Sequence, residues 1–114
     1  MQPLADDRFA ELVDQALDEL PDSLWDRLDN VAVVVEDRNA EEPGLLGLYE
    51  GVPQTDRWDY AGVLPDKISI YRLPLCEMAT DEEELVEEVK ITVVHEIAHH
   101  LGIEEDDLHE LGWG

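Results

Sequence analysis

From Thr80 to Leu101 the chain runs without Gly or Pro and sets Val86, Val89, Val93, Ile97 and Leu101 three or four residues apart. Thr80 with Glu83 forms a capping box, so the pattern predicts a helix from Asp81 to about Leu101, stopped at Gly102. A helix with one apolar stripe must bury it, and the rest of a 114-residue chain has to supply the surface it packs on.

The other segments are shorter. Phe9, Leu12, Val13, Ala16, Leu17 and Leu20 recur at helical spacing, which predicts an amphipathic helix from about Asp6 to Leu20, ended by Pro21. DSLWDRL is a shorter helical piece, and the β-branched run Val31 to Val35 reads as a buried strand. Leu45 to Gly51 is a second strand, and GVPQTDRWDYAG a long polar loop. Lys67 to Leu75 alternates as a third strand, with Pro74 marking an edge position or a strand end. Helix, strands, helix is the order of an α+β domain: two main helices, N-terminal and C-terminal, packed on a small mixed sheet. The length suits one domain spanning residues 1–114.

Thirty Asp and Glu against seven Lys and Arg give a formal charge of −23, which repels nucleic acid and anionic membranes. A single cysteine, Cys76, excludes an internal disulfide, and the default for it is a small buried hydrophobe. The acidic, amphipathic N-terminus is unlike a signal peptide, and VAVVV is the longest purely apolar run, so the sequence reads as soluble and cytoplasmic.

All four histidines, His95, His99, His100 and His109, fall within fifteen positions near the C-terminus. His95, Glu96 and His99 match H-E-x-x-H. One helical turn sets positions i and i+4 on the same face about 6 Å apart, so two imidazoles can ligate one ion. Glu96 is placed to act as general base on a water activated by that ion, which also polarises a carbonyl. His100, rotated about 100° from His99, lies off the ligand face.

A third ligand follows Gly102, where the extended pattern carries His or Asp three residues on; here that residue is Glu105, a carboxylate able to ligate zinc. Glu104 and Asp106 flank it. His109 is the alternative third ligand, and a site of two protein ligands plus water is the remaining possibility.

HEIAHHLGIEEDDLHELGW at the end of so short a chain resembles the bacterial minimal zincin-like metallopeptidase family, within the zincin superfamily. The resemblance implies an N-terminal helix, a small twisted sheet and an active-site helix. An edge strand lies above the cleft and pairs with extended substrate backbone, a role that KISIYRLPL matches by position. It also implies His95 and His99 as metal ligands, Glu96 as general base and one Zn2+ per chain.

Three functions follow in order. First is a zinc-dependent metallopeptidase acting on a peptide or protein substrate. Second is a non-catalytic metal-binding or regulatory zincin-like domain. Last is a metal-dependent endoribonuclease resembling bacterial rRNA-maturation enzymes, in which three histidines would occupy positions 95, 99 and 105; Glu105 and the −23 charge oppose it. Tyr71 and Arg72 are considered as oxyanion stabilisers but read better as a core aromatic and a surface charge.

Overall fold

The computed structural model describes residues 1–25, 31–51 and 66–101, and the side chains of all of these except residues 23, 25 and 99–101. Its elements run α1 (Asp6–Asp18), α2 (Asp22–Trp25), β1 (Val31–Glu36), β2 (Gly47–Glu50), β3 (Asp66–Tyr71), α3 (Arg72–Met78) and α4 (Glu82–Leu101). The sheet order is β1-β3-β2, with β1 parallel and β2 antiparallel to β3. Helices packed on a small mixed sheet are the α+β arrangement anticipated above.

α1 forms where helical spacing predicts it. Asp6 and Asp7 in its first turn complement the positive end of the helix, and Phe9, Leu12, Val13 and Ala16 are buried. These residues pack against α4, whose Leu85, Val86, Val89, Val93, Val94, Ile97 and Ala98 are buried in the same core. Ile68 and Ile70 of β3 supply the sheet side, and Leu24, Leu75 and Cys76 close the remainder. Cys76 is thus the buried small hydrophobe expected of it.

Two polar bridges fix α1 beside α4. Arg8 donates from Nε and Nη2 to the two carboxylate oxygens of Glu82, at 3.2 and 2.6 Å. Farther along both helices, Lys90 Nζ, with its side chain only 10% exposed, pairs with Glu19 at 3.0 Å and Glu87 at 2.7 Å. The first bridge is solvent-exposed and adds little. The second shields a nearly buried ammonium, whose loss of partners would leave a costly charge inside.

Several local expectations are corrected. α4 is capped one residue later than the capping box implies: the Glu84 N–H donates to Asp81 Oδ1, while the Thr80 hydroxyl donates to the Glu84 carboxylate, both at 2.8 Å. The third strand stops at Tyr71, and Pro74 lies in the first turn of α3, where its missing N–H costs no helical hydrogen bond. Among the described strands β3 is central, not an edge, so KISIYRLPL does not hold the edge position expected of it; the edge strand that meets α4 is β2. β1 is half-buried rather than buried, because it occupies the other edge of the described sheet.

No helix among the described residues is long and apolar enough to cross a membrane.

Phe9→Ala removes a fully buried ring from the α1–α4 contact and lowers unfolding free energy by about 3–5 kcal/mol in denaturant titrations. The Lys90 hydrogen bond, with a second from Gln15, holds Glu19 below the ordinary glutamate range. A carboxylate with a depressed folded-state pKa adds stability above its unfolded value and loses it as pH falls through the folded value. Glu19→Gln therefore flattens the fall in thermal midpoint on acidification between about pH 6 and pH 3, relative to wild type.

Candidate metal and catalytic site

α4 presents two faces. At 100° per residue, the buried positions 86, 89, 93 and 97 gather on one side, while 88, 92, 95 and 99 gather on the other. That second face borders a groove of about 350 Å³ lined by Glu88, Ile91, Thr92, His95 and Glu96 from α4. Gly44 to Gly47 form one rim and Met78, the last residue of α3, contributes to the other.

The 44–47 rim is shaped by its own side chains. Asn39 Oδ1 accepts the N–H groups of Glu41 and Glu42, both at 2.8 Å, making a tight turn before the strand. Arg38 donates to the Pro43 carbonyl and pairs with Glu77 of α3, which joins this segment to the helix bearing Met78. The Leu46 carbonyl accepts the Tyr71 N–H at 3.0 Å, so Leu46 enters the β2–β3 ladder in register.

In that antiparallel register Leu46, Leu48 and Glu50 turn their peptide groups toward β3, and Gly47 and Tyr49 turn theirs away. The outward Tyr49 N–H donates to Glu96 Oε1 at 3.1 Å. The acidic residue of the H-E-x-x-H motif is therefore held against an edge strand by a backbone donor, and among the described residues only one of its two oxygens is used. The Tyr49 hydroxyl donates to Asp66 Oδ2 at 2.9 Å, which ties this part of β2 to the start of β3.

The contact depends on Gly47. A Cβ at this position would lie 2.5 Å from Thr92 Cγ2, 3.2 Å from the Ser69 carbonyl oxygen and 3.8 Å from Glu96 Cγ. Any side chain here separates β2 from α4. Thr92 is itself buried, and its hydroxyl donates to the Glu88 carbonyl one turn earlier at 2.8 Å.

His95 is exposed at the groove and engages no hydrogen-bond partner among the described residues, which leaves its ring nitrogens available. The α4 backbone stays helical through Leu101, so positions 95 and 99 are one turn apart. Imidazole donors at that spacing fit zinc, which accepts nitrogen ligands and keeps a position for substrate or water in catalytic sites. Among the described residues no three His, Cys, Asp or Glu side chains gather as a complete metal-binding group. The third-ligand candidates Glu105 and His109 lie outside the described residues, as do Gly102, Glu104, Asp106 and the polar loop from Val52 to Pro65.

The two residues weighed as oxyanion stabilisers serve the scaffold instead. Tyr71 is buried and its hydroxyl accepts from Asn39 Nδ2 at 2.9 Å. Arg72 pairs with Asp6 and Asp37 and donates to the Leu4 carbonyl at 2.6 Å, anchoring the N-terminal segment to the sheet end.

Sequence reasoning found the helix and sheet that α4 packs against but not the Gly44–Gly47 and Met78 rims that it faces across the groove. Gly47 inside an apolar strand was one available sign of close backbone approach. The recurrence of Glu88, Thr92 and His95 on one helical face was another.

A helix bearing His-Glu-x-x-His beside the edge of a small mixed sheet defines a metallopeptidase-like class of protein. The chain belongs to the zincin-like metallopeptidase family, whose model matches residues 28–113, and this membership suggests zinc binding. A conserved hypothetical protein from Thermus thermophilus is similar in structure, with a TM-score of 0.57 and 28% sequence identity. The match covers 86% of this chain and 94% of that one. No curated protein matches the chain.

Gly47→Ala forces the Thr92 methyl and β2 apart, costing about 1–3 kcal/mol of stability by overpacking and accelerating hydrogen exchange at the Tyr49 amide. Adding Thr92→Ser removes that methyl and restores most of both quantities. Unchanged exchange at Tyr49 in Gly47→Ala would show that the approach at Gly47 does not hold the Glu96 contact.

Proposed function

We propose that the protein is a zinc-dependent peptide hydrolase in which His95, His99 and Glu105 hold one Zn2+ per chain, with His109 as the alternative third ligand, and Glu96 is the general base. The observation that carries this reading is the position of Glu96: beside exposed His95, in a groove bordered by the edge strand β2. Zinc, when bound, supplies Lewis acidity that polarises a carbonyl and brings the pKa of water toward neutrality.

The residues of the chain divide the remaining work. An extended peptide lies along α4 in the groove between the 44–46 rim and Met78, with its scissile bond at His95. Glu96 Oε1 is fixed by the Tyr49 N–H, and Oε2 takes the proton from the attacking water and passes it to the leaving amine nitrogen. Fixing one oxygen keeps the carboxylate in place while the other exchanges a proton, so little reorganisation accompanies the transfer. The buried apolar side of α4 keeps the helix and both its histidine positions rigid.

A second reading, a non-catalytic metal-binding domain, draws support from the same hydrogen bond, since closing the Tyr49 amide is also a structural task. Glu96→Gln separates the two, because its amide oxygen still accepts from Tyr49. On the hydrolase reading, the variant keeps about one zinc per chain and wild-type stability but loses hydrolysis of unstructured peptides. Equal turnover in variant and wild type, or no zinc in either after loading, overturns it.

The third ligand is tested by zinc titration of Glu105→Ala and His109→Ala. Loss of the ligand weakens zinc by at least about tenfold, and the other variant binds as wild type. If neither changes, both assignments fail.

A further inference from the structure

Among the described residues the large hydrophobic side chains left exposed are Met78, at 51%, and Ile91, at 38%, and both line the groove that holds His95 and Glu96. Isolated exposed apolar residues are ordinary, but two that converge from separate helices on one concave site are a surface awaiting an apolar partner.

The charge of the groove is equally one-sided. Each described Lys and Arg side chain, Arg8, Arg38, Lys67, Arg72 and Lys90, is already committed to a carboxylate elsewhere. None lines the groove, whereas Glu88 and Glu96 do. Among the described residues Glu96 meets only the neutral Tyr49 N–H, and Glu88 has no side-chain partner.

Spacing along α4 turns these features into a register. At 1.5 Å per residue, Ile91 lies about 6 Å and Glu88 about 10 Å from His95 along the helix axis. An extended peptide advances about 3.3 Å per residue. Side chains on one face of an extended peptide recur at every second residue. We infer that this groove selects extended peptides carrying a large aliphatic residue one position from the bond at His95 and a Lys or Arg three positions from it, both facing α4. The aliphatic side chain sits between Met78 and Ile91, and the cation meets Glu88. This assignment rests on the peptide-hydrolase reading and specifies its substrate class.

The test uses full-length Glu96→Gln protein and fluorescent peptides with an Ala/Ser background, measured by anisotropy with zinc present. One peptide carries Leu and Lys two residues apart, and a permuted control of identical composition places them at opposite ends. The register peptide is expected to bind about tenfold more tightly. Met78→Ser with Ile91→Ser, both at exposed positions, removes the advantage of Leu over Ala. Glu88→Lys exchanges the preference for Lys to one for Glu at the same peptide position, a reversal that general attraction to an acidic protein does not produce. Equal binding of the register and permuted peptides, or a Lys preference surviving Glu88→Lys, overturns the inference.

Parallel hydrolysis by the zinc-loaded wild type separates the two proposals. Turnover that is lost in Glu96→Gln but does not discriminate the peptides overturns the groove assignment and keeps the hydrolase. Register-dependent binding without wild-type turnover supports the groove and overturns the hydrolase.

Discussion

Gly47 has no side chain, and for that reason the backbone of β2 approaches α4 closely enough for Tyr49 to reach Glu96 with its N–H. On the other side α4 is held by Phe9, Val13, Ile68 and Ile70, so the helix is seated between a core that fixes its rotation and a strand that fixes its height above the sheet. The groove is the space that remains along α4 when both conditions are met. Its acidic residue is thereby positioned by the same contact that completes the fold, and neither can be altered alone.

The long helix and the motif on it were legible because each rests on local periodicity. Apolar spacing located α1 and α4 to within a few residues, and H-E-x-x-H placed His95 and Glu96 on one stretch of helix. Pairing order was not legible. The alternation of Ile68 and Ile70 is the same whether a strand is central or at an edge, and only the partners β1 and β2 decide it. Pro74 was read as marking an edge position or a strand end, whereas a proline is equally at home in the first turn of a helix, where it stands in α3.

The site was legible in part for a related reason. Its titratable groups sit on α4, but the surfaces that give them a setting come from Gly44–Gly47 and Met78, which are distant in sequence and carry no chemical motif. Arg72 shows the converse: a charged residue beside a strand end invites a catalytic role, yet Asp6, Asp37 and the Leu4 carbonyl consume its donors. What a side chain is free to do depends on partners that linear spacing does not reveal.

The commitment of Arg8, Arg38, Lys67, Arg72 and Lys90 to ion pairs makes ionic strength a structural variable. With −23 formal charges and these cations already used, the excess carboxylates repel one another across the surface. Counterions screen that repulsion over a Debye length of about 8 Å at physiological salt and less at higher salt. The same screening weakens attraction to a cationic chain. Compactness and capture of basic ligands thus respond to salt in opposite directions, and the working state of this domain is a compromise set by the solution around it.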